Sequence, residues 1–260
     1  MSDTTAPDPD TVTATVKMGI GEYQFEAEIK LPKRSVPLRQ MLPMINALTN
    51  TVVDMGVRAV EGKGETISCK MGCGACCRQL VPLAEVEAYR IRDLVNDLPE
   101  PRRTVIRERF AAARRQLESS GFWDKLWRHD ELPENEVKIL GDDYFPLGIA
   151  CPFLEDESCS IHPERPVSCR EYLVTSPAEN CSKPSADTIK MVPLPGKVWT
   201  ALASMDEPVA GSASLRYVPL IQALAWTDAH PEQPNDRPGH EWVRELFTHL
   251  ARKRPAPEGD

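Results

Sequence analysis

An α+β fold, mainly α-helical with an N-terminal β-hairpin and a loop-rich cysteine-cluster subdomain, is what this 260-residue sequence predicts. Three features carry that expectation: period-two alternation over 12–31, helical periodicity in most later segments, and eight cysteines split between a tight knot and a proline-rich stretch.

Val12, Ala14, Val16 and Met18 alternate with polar neighbours, and Tyr23, Phe25, Ala27, Ile29 and Leu31 alternate again after Gly19-Ile20-Gly21-Glu22. That reads as a hairpin with one buried face, which needs something to pack on. Ser35-Val36-Pro37 then offers a cap and an early proline for a helix running to about Glu61. Leu38, Met41, Leu42, Ile45, Leu48, Val52 and Val53 form its apolar stripe, and Gly62-Lys63-Gly64 ends it. Pro82 to about Leu98 reads as a second helix. Pro101 to Ser120 reads as a third, with Ile106, Phe110, Ala113 and Leu117 on one face. Residues 141–195 hold prolines at 146, 152, 163, 166, 177, 184, 193 and 195 and are expected to be loops and short turns. Helices return over about 215–229 and 239–253, the latter with Trp242, Val243, Leu246, Phe247 and Leu250 inward. The expected division is a disordered 1–10, hairpin plus helix over 11–68, a cysteine-cluster domain over 69–184, a C-terminal helical part over 185–254 on the same core, and a tail at 255–260.

The net charge of −8 argues against a general nucleic-acid surface. No apolar run approaches the roughly 20 residues that span a bilayer. MSDTTAPDPD has neither the basic nor the apolar region of a secretory signal. A cytoplasmic location is therefore expected, where disulfides are disfavoured and eight thiols point to metal, redox work or burial. The expected partner is a metal ion, with no nucleic acid and no membrane; the sequence names no protein partner.

The cysteines are Cys69, Cys73, Cys76, Cys77, Cys151, Cys159, Cys169 and Cys181. Four stand within CKMGCGACC, where glycines leave almost no large apolar side chain to pack beside them. A thiolate-bound metal would tie the proline-rich loops to this knot. Structural zinc contributes about 10–16 kcal/mol in small peptides, against about 1–2 kcal/mol of backbone entropy per ordered residue. If the knot were helical, Cys69, Cys73, Cys76 and Cys77 would fall within about 100° of one face. Adjacent Cys76 and Cys77 close poorly on a single ion, so one of them serves a second metal or both join an extended cluster. Eight thiolates suit two four-thiolate zinc sites, or an iron–sulfur or polynuclear iron assembly.

CGACCR (73–78), CPFL (151–154) and CSIHPERPVSCREY (159–172) resemble the YkgJ-type cysteine-cluster (CxxCxxCC) family of zinc- or iron-chelating proteins. The resemblance runs from Cys69 to about Cys181. The first spacing here is C-x3-C rather than C-x2-C, and His162 stands where that family often has tyrosine. The resemblance implies metal binding without a single activity; a related cluster occurs in flagellin lysine N-methylases.

Arg78, Arg165 and Arg170 are candidates to hydrogen-bond thiolate sulfur and offset its charge, with Arg78 and Arg170 favoured. His162, three residues after Cys159, is a possible extra ligand, though a packed or hydrogen-bonding role suits it better. Asp142-Asp143-Tyr144 reads as an exposed turn, and His129, His230, His240 and His249 form no paired ligand motif. No catalytic residue is assigned. The reading is a metal-binding protein holding zinc or iron, mononuclear, polynuclear or as an iron–sulfur cluster. The alternatives are an iron-dependent enzyme or redox protein, with methylation- or oxidation-type chemistry on an unknown substrate, and a protein that stores or delivers metal.

Overall fold

The computed structural model describes residues 10–20, 23–185, 187–206 and 215–251, and only the backbone of 16–20, 23–27, 134 and 138. Strands β1 (Thr11–Ile20) and β2 (Tyr23–Pro32) pair antiparallel from Thr11 opposite Pro32 to Ile20 opposite Tyr23. Gly19 and Ile20, expected in the turn, belong to the strand, and 21–22 lie outside the described residues. At the base, Ala14, Ile29 and Leu31 turn inward while Val12 stays exposed.

Ser35–Pro37 does not start the first helix. It is a strand, β3, whose pairing with Asp236–Pro238 keeps it extended. Val36 is fully buried, and its carbonyl accepts Trp242 Nε1–H at 2.8 Å. A 3-10 turn at Leu38–Met41 leads into α1 (Leu42–Glu61), which buries Leu42, Ile45, Leu48, Val52 and Val53 of the expected stripe and also Thr49, Gly56 and Val60, while Leu38 and Met41 fall in the preceding turn. The second helix also starts late. Pro82–Leu83 is strand β4, paired with Val218–Pro219, and α2 covers Glu85–Asp97. α3 (Arg102–Ser119) buries Ile106, Phe110, Ala113 and Leu117 as expected. α4 (Phe122–Trp127) and α5 (Glu134–Tyr144) were not anticipated. The latter puts Asp142 and Asp143 on an exposed helical turn, with Lys125 on Asp143 at 2.9 Å, and buries Tyr144.

Beyond Tyr144 the chain is irregular apart from a minimal hairpin, β5 (Leu154–Glu155) and β6 (Ser158–Cys159), and the five-residue α6 (Val167–Glu171). α7 (Val198–Ala203), β7 (Val218–Pro219), α8 (Ala223–Ala229), β8 (Asp236–Pro238) and α9 (Gly239–Ala251) follow. The expected helix over 215–229 thus shrinks to α8, because Val218–Pro219 is committed to β4.

One apolar cluster joins the hairpin base, α1, α7 and α9 with Val167 of α6. A second joins α2, α3 and α8 around Phe153, and Cys151 and Cys159 lean on it. A third gathers α4 and α5 against the end of α3. The fold is mainly helical with small antiparallel strand pairs. Among the described residues no helix is long and apolar enough to cross a membrane.

Candidate metal centre

The knot is not a helix. Only Ala75–Arg78 forms a 3-10 turn, so the four early cysteines do not share one helical face. Gly72 takes φ +84°, a left-handed conformation suited to glycine, and Cys73 N–H closes on the Lys70 carbonyl at 3.1 Å. Gly74 has ordinary angles, and a different constraint requires glycine there. A β-carbon at 74 would lie 2.6 Å from Glu157 Oε2 and 2.7 Å from Leu154 Cδ1. The knot therefore sits directly on the β5–β6 hairpin.

Three sets of bonds bring the later cysteines to it. Cys151 N–H donates to the Cys77 carbonyl at 2.7 Å. Arg78 grips Glu157 with both terminal nitrogens, at 2.9 and 2.6 Å, and also donates to the Gly74 carbonyl. Asp156 and Glu157 are both left-handed, as a tight two-residue hairpin turn requires, and this returns the chain to Cys159. Ser68 bonds the backbone at Val174 and Thr175, which ties the start of the knot to the segment approaching Cys181.

Cys169 is placed by α6, too short to stand alone. Buried Glu87 of α2 accepts Ala84 N–H at 3.0 Å and Val167 N–H at 2.7 Å, joining the starts of both helices. Burial, above all, pushes its pKa to about 7. Arg170 is buried and donates to the carbonyls of Pro163 and Arg165 and to Asn50 of α1. Glu171 accepts the backbone N–H groups of Val198 and Trp199 at the start of α7.

Cys76, Cys77, Cys151, Cys159 and Cys169 line one cavity of about 110 Å³, with apolar walls that include Val81, Phe153, Ile161 and Leu220. Cys69, Cys73 and Cys181 are not in its lining. All eight cysteines are free thiols. Burial pushes the Cys169 thiol up to about 12, with Cys76 and Cys159 adding repulsion. The Cys76 thiol is raised first by its hydrogen bond with Cys77 and then by burial, and Cys151 and Cys159 mainly by burial. Burial first of all raises Cys69 and Cys181; Cys76 and Cys73 add repulsion at both, and Cys69 adds it at Cys181. As placed, no three Cys, His, Asp or Glu side chains among the described residues stand close enough to hold one ion.

The three arginines are employed differently. Arg78 is spent on Glu157, and Arg170 on backbone carbonyls and Asn50. Arg165 lines the cysteine cavity, and its Nε is buried with no hydrogen-bond partner among the described residues. Neither nearby glutamate is available to it, since Glu164 pairs with Arg90 and Glu171 caps α7. Its charge acts on Cys69, Cys76, Cys159 and Cys169. His162 is exposed on a 3-10 turn outside the cavity lining. Tyr172, whose hydroxyl accepts from Gln79 at 2.9 Å, completes the cavity wall and had no sequence signal beyond its neighbours.

A thiol-lined, otherwise apolar cavity beside an uncommitted guanidinium is a donor set for soft metals such as zinc and iron. No curated protein and no solved structure matches this chain. Residues 68–187 match the family model described as "CxxCxxCC: putative zinc- or iron-chelating domain", so this segment of the chain is similar to that family.

Proposed function

We propose that the cysteine cavity holds a polynuclear centre, an iron–sulfur cluster or several thiolate-bound irons, with Cys76, Cys77, Cys151, Cys159 and Cys169 as its ligand pool. The observation that supports this is the breadth of the cavity those five thiols share. A single zinc ion sits about 2.3 Å from each of four sulfurs, which brings the sulfurs to about 3.8 Å of one another and leaves no room for water between them. By contrast, about 110 Å³ has room for about four waters at their share of liquid volume. Arg165 would offset the negative charge of the assembled thiolates and donate to sulfur.

A second reading concerns the remaining thiols. Cys73 and Cys76 act on both Cys69 and Cys181, and Cys69 acts on Cys181, a proximity of thiols that favours a separate zinc or iron ion near the knot. Elemental analysis with acid-labile sulfide, on protein purified anaerobically from iron-replete cells, tests both. The expected preparation is brown, contains several irons per chain, and bleaches in Cys151→Ser and Cys169→Ser but keeps its colour in Cys181→Ser. Colourless, iron-free protein carrying two zinc ions per chain would remove the polynuclear reading and leave closed zinc sites.

A further inference from the structure

Independently of the metal, we propose that the cleft between the start of α2 and α8 binds a small organic cation, an alkylammonium group on a short apolar stem, with Asp206 as its counter-charge. The cleft measures about 510 Å³, larger than the cysteine cavity, and none of its lining residues belongs to the metal site. Its described lining carries three carboxylates, Glu85, Asp206 and Glu232, against one cation, Arg216. Two of the three are already paired: Arg216 with Glu85 at 3.0 Å, and Arg39 with Glu232 at 3.0 Å. Asp206 accepts Glu85 N–H at 3.0 Å and forms no ion pair among the described residues, Arg216 acting on it only at longer range.

The adjoining wall is aromatic. Trp226 stacks on His230 with centroids 4.5 Å apart and tilts against Tyr89 at 5.6 Å. Tyr89 donates its hydroxyl proton to the His230 carbonyl at 3.0 Å, which fixes the wall in place. Two rings of this lining already receive guanidinium groups of the chain: Arg92 lies 5.3 Å from the Tyr89 ring centroid and Arg237 3.5 Å from that of Trp242. Indole faces and a carboxylate removed from water attract an alkylammonium ion, which uses both the charge and the apolar surface. The burial that pushes the Asp206 carboxyl up to about 8 agrees with an anionic group lacking its counter-ion.

The test titrates n-butylammonium, with butyrate and butanol as matched controls, into full-length protein. At about pH 8.5 the carboxylate is largely ionised and an amine with a pKa near 10.4 keeps its proton. The expected result is a saturable shift of the Trp226 indole N–H resonance by butylammonium alone, with the Trp123 indole unmoved. Asp206→Asn is expected to weaken binding about tenfold or more, the loss of a charged hydrogen bond, while metal content stays at the wild-type level. Absence of a saturable shift in the wild-type protein would overturn the proposal, and this needs no variant to fold. Equal response to butyrate, or unchanged affinity in Asp206→Asn, would overturn it as well.

Discussion

Gly74→Ala will loosen the contact on which the cavity depends, and its cost can be worked from three distances. The new methyl group would meet Glu157 Oε2 at 2.6 Å, Leu154 Cδ1 at 2.7 Å and Glu157 Cα at 3.2 Å. The first atom cannot swing away freely, because Arg78 holds the carboxylate with two bonds. The third is backbone, so the β5–β6 hairpin itself must retreat by a few tenths of an ångström. Overpacking of this kind costs about 1–3 kcal/mol, and the stiffer unfolded chain of alanine returns about 0.4–1. A net loss of about 1–2 kcal/mol follows, or about 0.5 M in urea midpoint for a slope near 3 kcal/mol per M. Metal sites tolerate only about 0.2 Å of ligand displacement, so metal content should fall too, since Cys159 rides on the hairpin. Gly72→Ala is the control: φ +84° makes it strained by about 1–2 kcal/mol, yet its β-carbon meets nothing within 4 Å. It should lower the midpoint and leave the metal largely in place. Removing the obstacle in Gly74→Ala/Glu157→Ala should recover part of the loss, although Glu157→Ala alone removes an exposed ion pair and costs at most about 1 kcal/mol. If Gly74→Ala matches wild type in stability and metal, or the double variant is additive within about 0.5 kcal/mol, the contact does not matter as argued.

Arg170→Met should destabilise the chain by about 3 kcal/mol in urea titrations, because it removes a buried guanidinium that donates to the Pro163 and Arg165 carbonyls and to Asn50. Arg165→Met should leave stability within about 0.5 kcal/mol of wild type but speed loss of metal to a chelator, since the buried Nε has no hydrogen-bond partner among the described residues. His129 governs an acid limb. Burial holds its pKa below the ordinary 6.5, with Asp130 and the Leu126 carbonyl pulling the other way and Arg216 adding to the fall. The unfolded chain therefore takes up this proton first: stability is full above about 6.5 and declines as pH drops toward the folded value. His129→Phe should flatten that part of the pH profile measured by thermal melting. Finally, removal of metal by chelation should raise hydrogen exchange across 69–80 and 150–160 while the amides of Val167 and Val198 stay protected, because Glu87 and Glu171 hold them without any ion.

What was legible in the sequence was whatever one segment carries by itself. The stripes of α1 and α3 are local patterns, and both helices bury the faces expected of them. Ser35-Val36-Pro37 has the local signature of a helix start, yet its partner strand lies about two hundred positions away at Asp236–Pro238. The same applies to Pro82–Leu83, drawn into pairing by Val218–Pro219. At the metal centre, residue type announced the thiols, but only the fold separates five that share a cavity from three that do not. The arginines make the same point more sharply. Adjacency to a cysteine marked Arg78 and Arg170, and those two turned out to be the braces that position cysteines, while the guanidinium left facing the thiols is Arg165. The irregular 141–195 segment looked as though an ion alone would have to order it. Buried Glu87, Arg170 and Glu171 instead bind backbone groups of residues 163–167 and of the starts of α2 and α7, and the Asn50 side chain of α1, so hydrogen bonds within the protein fix Cys169 before any ligand bond forms. A centre built on such a frame is held partly ready for its metal, which lowers the ordering cost that binding must overcome.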